Sequence, residues 1–477
     1  MKVPYSTYLT GLEPALRRLF AILRPDYDYV SFLSTDSVGF TISISQKVRS
    51  VMDRNLTTER GTVVRVRKGG LYSEAAFNDL TADNAAEVAA RIRQELSAQM
   101  ELLRLTGTQV YETGAVPDAP AEVFAQMETE QLPETADTAA LVRQFTEICD
   151  QTTASVQSAI DCSVRAQSTH ICKLFFTDNR YLRQSYVYSE ERVTILTSEN
   201  GTTRFGTEGH SGLCGPELFA DTAKTAAAAA RNADAMRKAG SVAPGEYEVI
   251  TTPAVSGIIA HEAFGHGVEM DMFVKNRALG RDYIGKRVAS DLVTMHEGAL
   301  CAKNVTSFAF DDEGTLAGDT VEIDHGILKT GICDALSAVR LGVAPTGNGK
   351  RQNFEHKVYT RMTNTVFDAG KNTLEEMIAS IRYGYLLDMP ESGMEDPKHW
   401  GIQCIVKLGR EIKDGKLTGK VVAPVIMTGY VPDLLGSISM ISDDRECFGN
   451  GACGKGHKEW VKVADGGPYL KTVGRLG

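Results

Sequence analysis

Two histidines five residues apart place the hardest constraint on this chain. The stretch His261-Glu262-Ala263-Phe264-Gly265-His266 follows Thr252-Pro253 and the apolar residues Val255, Ile258 and Ile259. Proline at a first helical position and an apolar stripe at helical spacing predict a buried helix here. At 3.6 residues per turn, five residues rotate by about 500°, so a regular helix leaves the two imidazoles roughly 140° apart. If both rings serve one site, the backbone departs from the α form. Two departures are open. A π-bulge returns residues i and i+5 to one face. An early helix end at Gly265 lets the chain turn and His266 swing back.

The residue types point to a metal. Neutral imidazole nitrogens are the commonest protein ligands for a zinc-like cation. A glutamate directly after the first histidine can take a proton from the attacking water, as in the HExxH helix of zinc peptidases. The plain alternative is a pair of ordinary core histidines. Catalytic zinc sites use three protein ligands and keep one position open. Glu269 and Asp271 lie close enough in sequence to be ligands, or acceptors for the imidazole N–H groups. The other candidate is Cys453, in Gly451-Ala452-Cys453-Gly454-Lys455-Gly456-His457. Glycines there allow close backbone approach, and Lys455 could favour the thiolate. Against this, a cysteine is often only a small buried hydrophobe. A rival grouping of Cys447, Cys453 and His457 as a structural metal site lacks a fourth ligand at the usual spacing.

Further motifs follow in order: Asp311-Asp312-Glu313-Gly314-Thr315, Thr346-Gly347-Asn348-Gly349, Arg361-Met362-Thr363-Asn364-Thr365 and Cys453-Gly454-Lys455. With the histidine motif, which runs on through Gly267, Glu269 and Asp271, they make the chain resemble the TldD/PmbA metallopeptidase family, also called modulator of DNA gyrase. The likeness is strongest in the second half of the chain. It implies that His261, His266 and Cys453 hold a zinc ion and that Glu262 is the general base. Within the family the TldD type carries the HExxxH motif and the TldE/PmbA type lacks it; this chain keeps it. The resemblance further implies a peptide or unfolded protein substrate, admitted to an enclosed dimer cavity. The dimer would be a homodimer, or a heterodimer with a motif-lacking family member. His457, Arg361 and Asn364 are the candidates for touching substrate or its oxyanion. Two other functions share the motif. One is a non-catalytic peptide-binding or scaffold subunit, with a structural metal held by four protein ligands. The other is a metal hydrolase acting on a small amide.

A chain of 477 residues exceeds one ordinary core. We expect an α+β protein with an N-terminal domain of antiparallel strands and helices over 1–240. A β-rich domain carrying the metal-site helix is expected over 241–477. The formal charge of −10 argues against a nucleic-acid footprint. Charges at Glu13, Arg17 and Arg18 interrupt any signal-peptide core, and no apolar run is long enough for a bilayer. Nine cysteines scattered without framework spacing fit reduced thiols in the cytoplasm. Thr346-Gly347-Asn348-Gly349-Lys350 fails the spacing of a phosphate loop. Asp311-Asp312-Glu313-Gly314 lacks the alternating ligands of a calcium loop.

Along the chain, the patterns predict a helix over 6–24 and a meander over 28–67, with strands at Tyr29–Phe32, Gly39–Ile44 and Thr62–Val66. A helix follows from Asn84 to about Leu105. Residues 106–137 read as an exposed connection with one short helix. A further helix and strands extend to about 207. A helix opened by Gly215-Pro216 then runs to Gly240 and marks the boundary between the halves. Beyond it we expect strands at Tyr247–Ile250, Ser307–Phe310, Ile402–Val406 and Val421–Ile426. Residues 373–382 form the only other substantial helix.

Overall fold

The structure, a computed structural model, describes residues 1–105, 112–457 and 459–477. Its first half is built on one long antiparallel pair. Helix α1 (Thr7–Leu23) starts at Ser6, whose hydroxyl accepts from the Leu9 N–H, and buries Leu9, Leu16, Leu19 and Leu23 at helical spacing. Strand β1 (Tyr29–Ile44) follows. The two apolar runs expected as separate strands are one, because Leu33–Val38 between them continue the same pairing. Strands β2 (Arg49–Met52), β3 (Arg60–Lys68) and β4 (Leu71–Phe77) complete the meander, and α2 (Ala85–Leu105) matches its expected span.

Part of the expected connection over 106–137 lies outside the described residues, namely 106–111. The remainder is more regular than its composition suggests. Strand β5 (Ala121–Gln126) is followed by a single 3₁₀ turn at Pro133–Thr135. Helix α3 (Thr138–Ser155), capped by Asp137, leads into β6 (Ala159–Phe176), β7 (Arg180–Glu199) and β8 (Thr202–Gly212). β5 runs parallel to β7, whose pairing residues lie about sixty positions further on. Such a non-local partner leaves no mark on the local pattern. The sheet order is β4-β3-β1-β6-β7-β5, with β2 beside β1 and β8 beside β7. Helix α4 (Thr222–Arg237) buries Ala226, Ala229 and Ala233. Its alanines allow the backbone of Gly206 on β8 to come up against Ala233. It is therefore a core helix of this half.

The second half is β-rich, as expected. Gly245–Thr251, Tyr383–Asp396, Gly401–Lys413, Val425–Tyr430 and Leu470–Leu476 each pair with two neighbours and close into a ring. A six-stranded sheet runs in the order Ile327–Leu328, Thr320–Asp324, Met295–Glu297, Asn364–Phe367, Glu459–Gly467, Glu446–Lys455. The large core packs Val255, Ile259 and Phe264 of the histidine segment against Leu387, Trp400, Cys404 and Met427. Three expectations fail here. Ser307–Phe310 is not a strand; Phe310 makes one isolated bridge to Leu316. The run Val421–Ile426 is divided between Lys416–Val422 and Val425–Tyr430, because Pro424 has no N–H to give a ladder. The helix at 373–382 is Leu374–Ala379. It is not alone among the described residues: Ala335–Leu341 and Val431–Gly436 are of similar length.

Buried charge joins the two halves. Arg65 on β3 meets Glu313, Lys173 on β6 meets Asp312, Glu74 on β4 meets Arg351 at 3.0 Å, and Glu190 on β7 meets Lys462 at 2.5 Å. The Asp311-Asp312-Glu313 run, which the sequence leaves without a role, is thereby a clasp. Asp311 Oδ1 accepts the N–H groups of Glu313 and Thr315, and its Oδ2 accepts that of Gly349.

Candidate metal centre

The histidine segment resolves its spacing by changing helix type twice. An α-helical stretch, Pro253–Ile258, passes into a π-helical turn, Ile259–Gly265, and then a 3₁₀ turn, His266–Val268. The π turn brings residues five apart into line. The His266 N–H accordingly donates to the carbonyl of His261. The imidazoles stand with centroids 5.1 Å apart and planes at 87°. Gly265 fits because Met362 lies against its α-carbon; a Cβ there would run into the Met362 sulfur.

Cys453 arrives from the strand Glu446–Lys455. The ligand atoms of His261, His266 and Cys453 all lie within 4.8 Å of one another. The His266 Nε2 to Cys453 Sγ distance is 3.4 Å. Glu262 Oε2 lies 4.0 Å from His266 Nε2. The side chains of His266 and Glu262 remain 20% and 17% exposed, so the cluster is reachable from outside. His261 is buried, and its Nδ1 has no hydrogen-bond partner. Burial alone would raise the Cys453 thiol, but the two imidazoles beside it pull it well below its usual value. A soft thiolate and two imidazoles, one with an unsatisfied buried nitrogen, are a donor set suited to zinc.

The surrounding groups orient these donors. His266 Nδ1 faces Glu269 Oε2 at 3.1 Å, which leaves Nε2 to point at the sulfur. Glu269 in turn meets Lys455 Nζ at 3.0 Å, and the same amine reaches Asp271 Oδ1 at 2.8 Å. Burial works to raise the Glu269 carboxyl, yet Lys455 and His266 bring it down to about 2. Glu269 and Asp271 thus stand behind the donors, held by Lys455. Lys455 itself is spent on these two carboxylates and on the Thr360 carbonyl at 3.0 Å.

Of the candidates for touching substrate, two are committed elsewhere. Arg361 is buried and donates to the carbonyls of Cys453 at 2.6 Å and Glu459 at 3.0 Å. It fixes the turn end of the hairpin that carries the cysteine. Asn364 is buried too; it donates to the Gly298 carbonyl and accepts from Thr306. His457 is exposed in the hairpin turn, where its N–H donates to Glu459. The rival site does not assemble: the one group of three metal-capable donors among the described residues is His261, His266 and Cys453, while Cys447 packs in a different cluster.

Three carboxyls escaped the sequence reading. Glu297 is fully buried and accepts from Asn348 Nδ2 at 2.9 Å, from the Thr363 N–H and hydroxyl, and from the Thr365 hydroxyl. It gathers the Thr346–Gly349 and Arg361–Thr365 motifs into one frame behind the site. Asp465 Oδ1 lies 2.5 Å from where a Cβ on Gly257 would stand, and burial pushes it up to about 6. Glu395 sits against Gly267, and both of its oxygens are buried without a partner. No spacing rule links such residues to the histidines; only the fold does.

Residues 244–471 match the model of the PmbA/TldA metallopeptidase C-terminal domain. A metalloprotease of Methanocaldococcus jannaschii is 32% identical over 282 residues, covering 59% of this chain and 61% of that protein. A zinc metalloprotease TldD homologue of Saccharolobus solfataricus is 31% identical over 237 residues, covering 48% of this chain and 50% of its own length. The chain thus spans between about half and three fifths of these relatives. Among solved structures, a Thermotoga maritima protein assigned as a candidate modulator of a DNA gyrase superposes with a TM-score of 0.79. It covers 98% of this chain and 100% of its own, at 16% identity, so it shares the fold.

Proposed function

The chain belongs to the PmbA/TldD metallopeptidase family, and from that premise we propose that it is a zinc-dependent peptidase acting on peptides or unfolded polypeptide segments. The observation that carries this reading is the convergence of His261, His266 and Cys453 within 4.8 Å, beside the partly exposed Glu262.

His261, His266 and Cys453 would hold the ion. When bound, zinc supplies Lewis acidity to a peptide carbonyl and to the attacking water. The remaining chemistry belongs to side chains. Glu262 Oε2 accepts the proton of the attacking water and returns it to the leaving amine. Glu269 fixes the imidazole of His266 through Nδ1, and Lys455 fixes Glu269. Glu262 is itself held in place by close packing over Gly393, which has no side chain to obstruct it.

Two strand edges near the motif favour an extended substrate. Glu446–Lys455 is the last strand of its sheet. Tyr383–Asp396, which carries Gly393, is paired on one side only beyond Leu387. An unfolded segment could lie along such an edge through main-chain hydrogen bonds, without reading side chains. Uptake into the enclosed cavity of a dimer, of two copies or with a motif-lacking family member, rests on family membership. No helix among the described residues is long and apolar enough to cross a membrane.

The test is Glu262→Ala, assayed for bound zinc and for cleavage of a casein-like unfolded substrate. Zinc stays and cleavage vanishes if Glu262 is the base. Cleavage that persists overturns the assignment.

A further inference from the structure

Between the two halves lies a cavity of about 70 Å³. Four basic side chains, Lys173, Lys350, Arg351 and Lys462, reach its wall, together with Glu59, Asp311 and Asp312. Three of the four have carboxylate partners: Lys173 with Asp312, Arg351 with Glu74, and Lys462 with Glu190. Lys350 differs. Its Nζ donates to two main-chain carbonyls, Met362 at 3.0 Å and Lys462 at 2.6 Å. It has no carboxylate partner among the described residues.

Two acceptors match an amine better than an ammonium. An ammonium carries three donors; an amine has two N–H groups and a lone pair. The site also opposes charge. Burial first, and then the guanidinium of Arg361, bring Lys350 down to about 7. The result is a nucleophilic nitrogen on the wall of a small cavity that Lys173, Arg351 and Lys462 also line. One water occupies roughly 10–15 Å³ on this measure, so the space admits a carboxyl-sized group.

We infer that Lys350 is a carbamylation site, at which the buried amine captures carbon dioxide in the cavity between the halves. The nitrogen lone pair forms the C–N bond, and one C=O pair moves onto oxygen. The N–H proton lost from nitrogen passes to the Glu59 carboxylate on the same wall, and from there to solvent. No electrons are exchanged and no other reactant is needed. The carbamate keeps one N–H for a main-chain carbonyl. Its negative charge shares the wall with Lys173, Arg351 and Lys462, which offset it against Asp311 and Asp312.

The test uses the full chain with its zinc, equilibrated with ¹³C-labelled bicarbonate and carbon dioxide. Carbamates are trapped by O-ethylation with a trialkyloxonium salt and mapped by peptide mass spectrometry. The expected result is an adduct on Lys350 at several times the occupancy of exposed lysines such as Lys224 and Lys238, with loss of the matching ¹³C resonance in Lys350→Arg. An occupancy at Lys350 no higher than at those surface lysines overturns the inference. The wild-type map decides this alone if the variant does not fold.

Discussion

The His266 N–H donates to the carbonyl of His261, so the two proposed zinc ligands are also joined along the backbone. The ring-to-ring geometry therefore depends on a single π turn. Gly265 is the weak point of that turn. Gly265→Ala should favour helix by up to about 1 kcal/mol intrinsically. The added methyl, however, collides with Met362, which packs beside Cys453. We expect the collision to win, with a net destabilisation of about 1–3 kcal/mol and weaker zinc binding. Chemical unfolding and chelator competition measure the two effects. An unchanged zinc affinity would separate the turn from the site.

Lys455 joins Glu269 and Asp271 behind His266. Lys455→Met removes the one amine that joins both carboxylates, leaving Glu269 with His266 and Asp271 with Lys275. Zinc affinity should fall by about 10–100-fold, while Lys455→Arg recovers part of the loss. Competition against a chromophoric chelator reads both variants. Equal affinities in Lys455→Met and the parent would remove Lys455 from the site.

Arg361 bridges the carbonyls of Cys453 and Glu459 with two nitrogens. A lysine offers no fork. Arg361→Lys should therefore cost on the order of 1–3 kcal/mol, the penalty of one unsatisfied buried group. It should also reduce zinc content by displacing the cysteine strand. Metal analysis alongside urea denaturation checks this.

Glu74 supplies a pH signature. Burial works to raise its carboxyl, and Arg351 and Arg65 more than offset that, bringing it from 4.5 to about 2. A folded value below the unfolded one stabilises the fold above pH 4.5, and the contribution is lost as pH falls towards 2. Glu74→Gln should destabilise the chain at pH 7 by roughly 3 kcal/mol. The gap between variant and parent should close as the pH falls through that window. A gap that stays constant with pH would mean that the pair does not titrate as described.

The triad proposed to hold zinc illustrates what a sequence discloses and what it withholds. The spacing of His261 and His266 demands a non-α backbone, and the π turn is one of the two forms it permits. Glu269 is legible as an acceptor because it sits three residues beyond His266. The roles of Asp311–Glu313 and Arg361 are not legible, because their partners, Arg65, Lys173 and the Cys453 carbonyl, come from distant strands. β5 escapes for the same reason. Its register is set by β7, and its apolar face is only Ala121, Val123 and Ala125, a weak signal within a polar connection. Ser307–Phe310 misleads in the opposite direction: aromatic residues that imitate a strand are there to fill the space between the halves.

The clasp between the halves also limits what can be exchanged. Arg65, Lys173 and Glu190 each find their counter-charge across the junction. Residues 241–477 grafted onto a foreign sheet would carry Asp312 and Glu313 into a dry interior without Lys173 and Arg65, their ion-pair partners. A chimera of two relatives should therefore assemble only if these partners travel together, and the first half of the chain acts as the electrostatic key to the second.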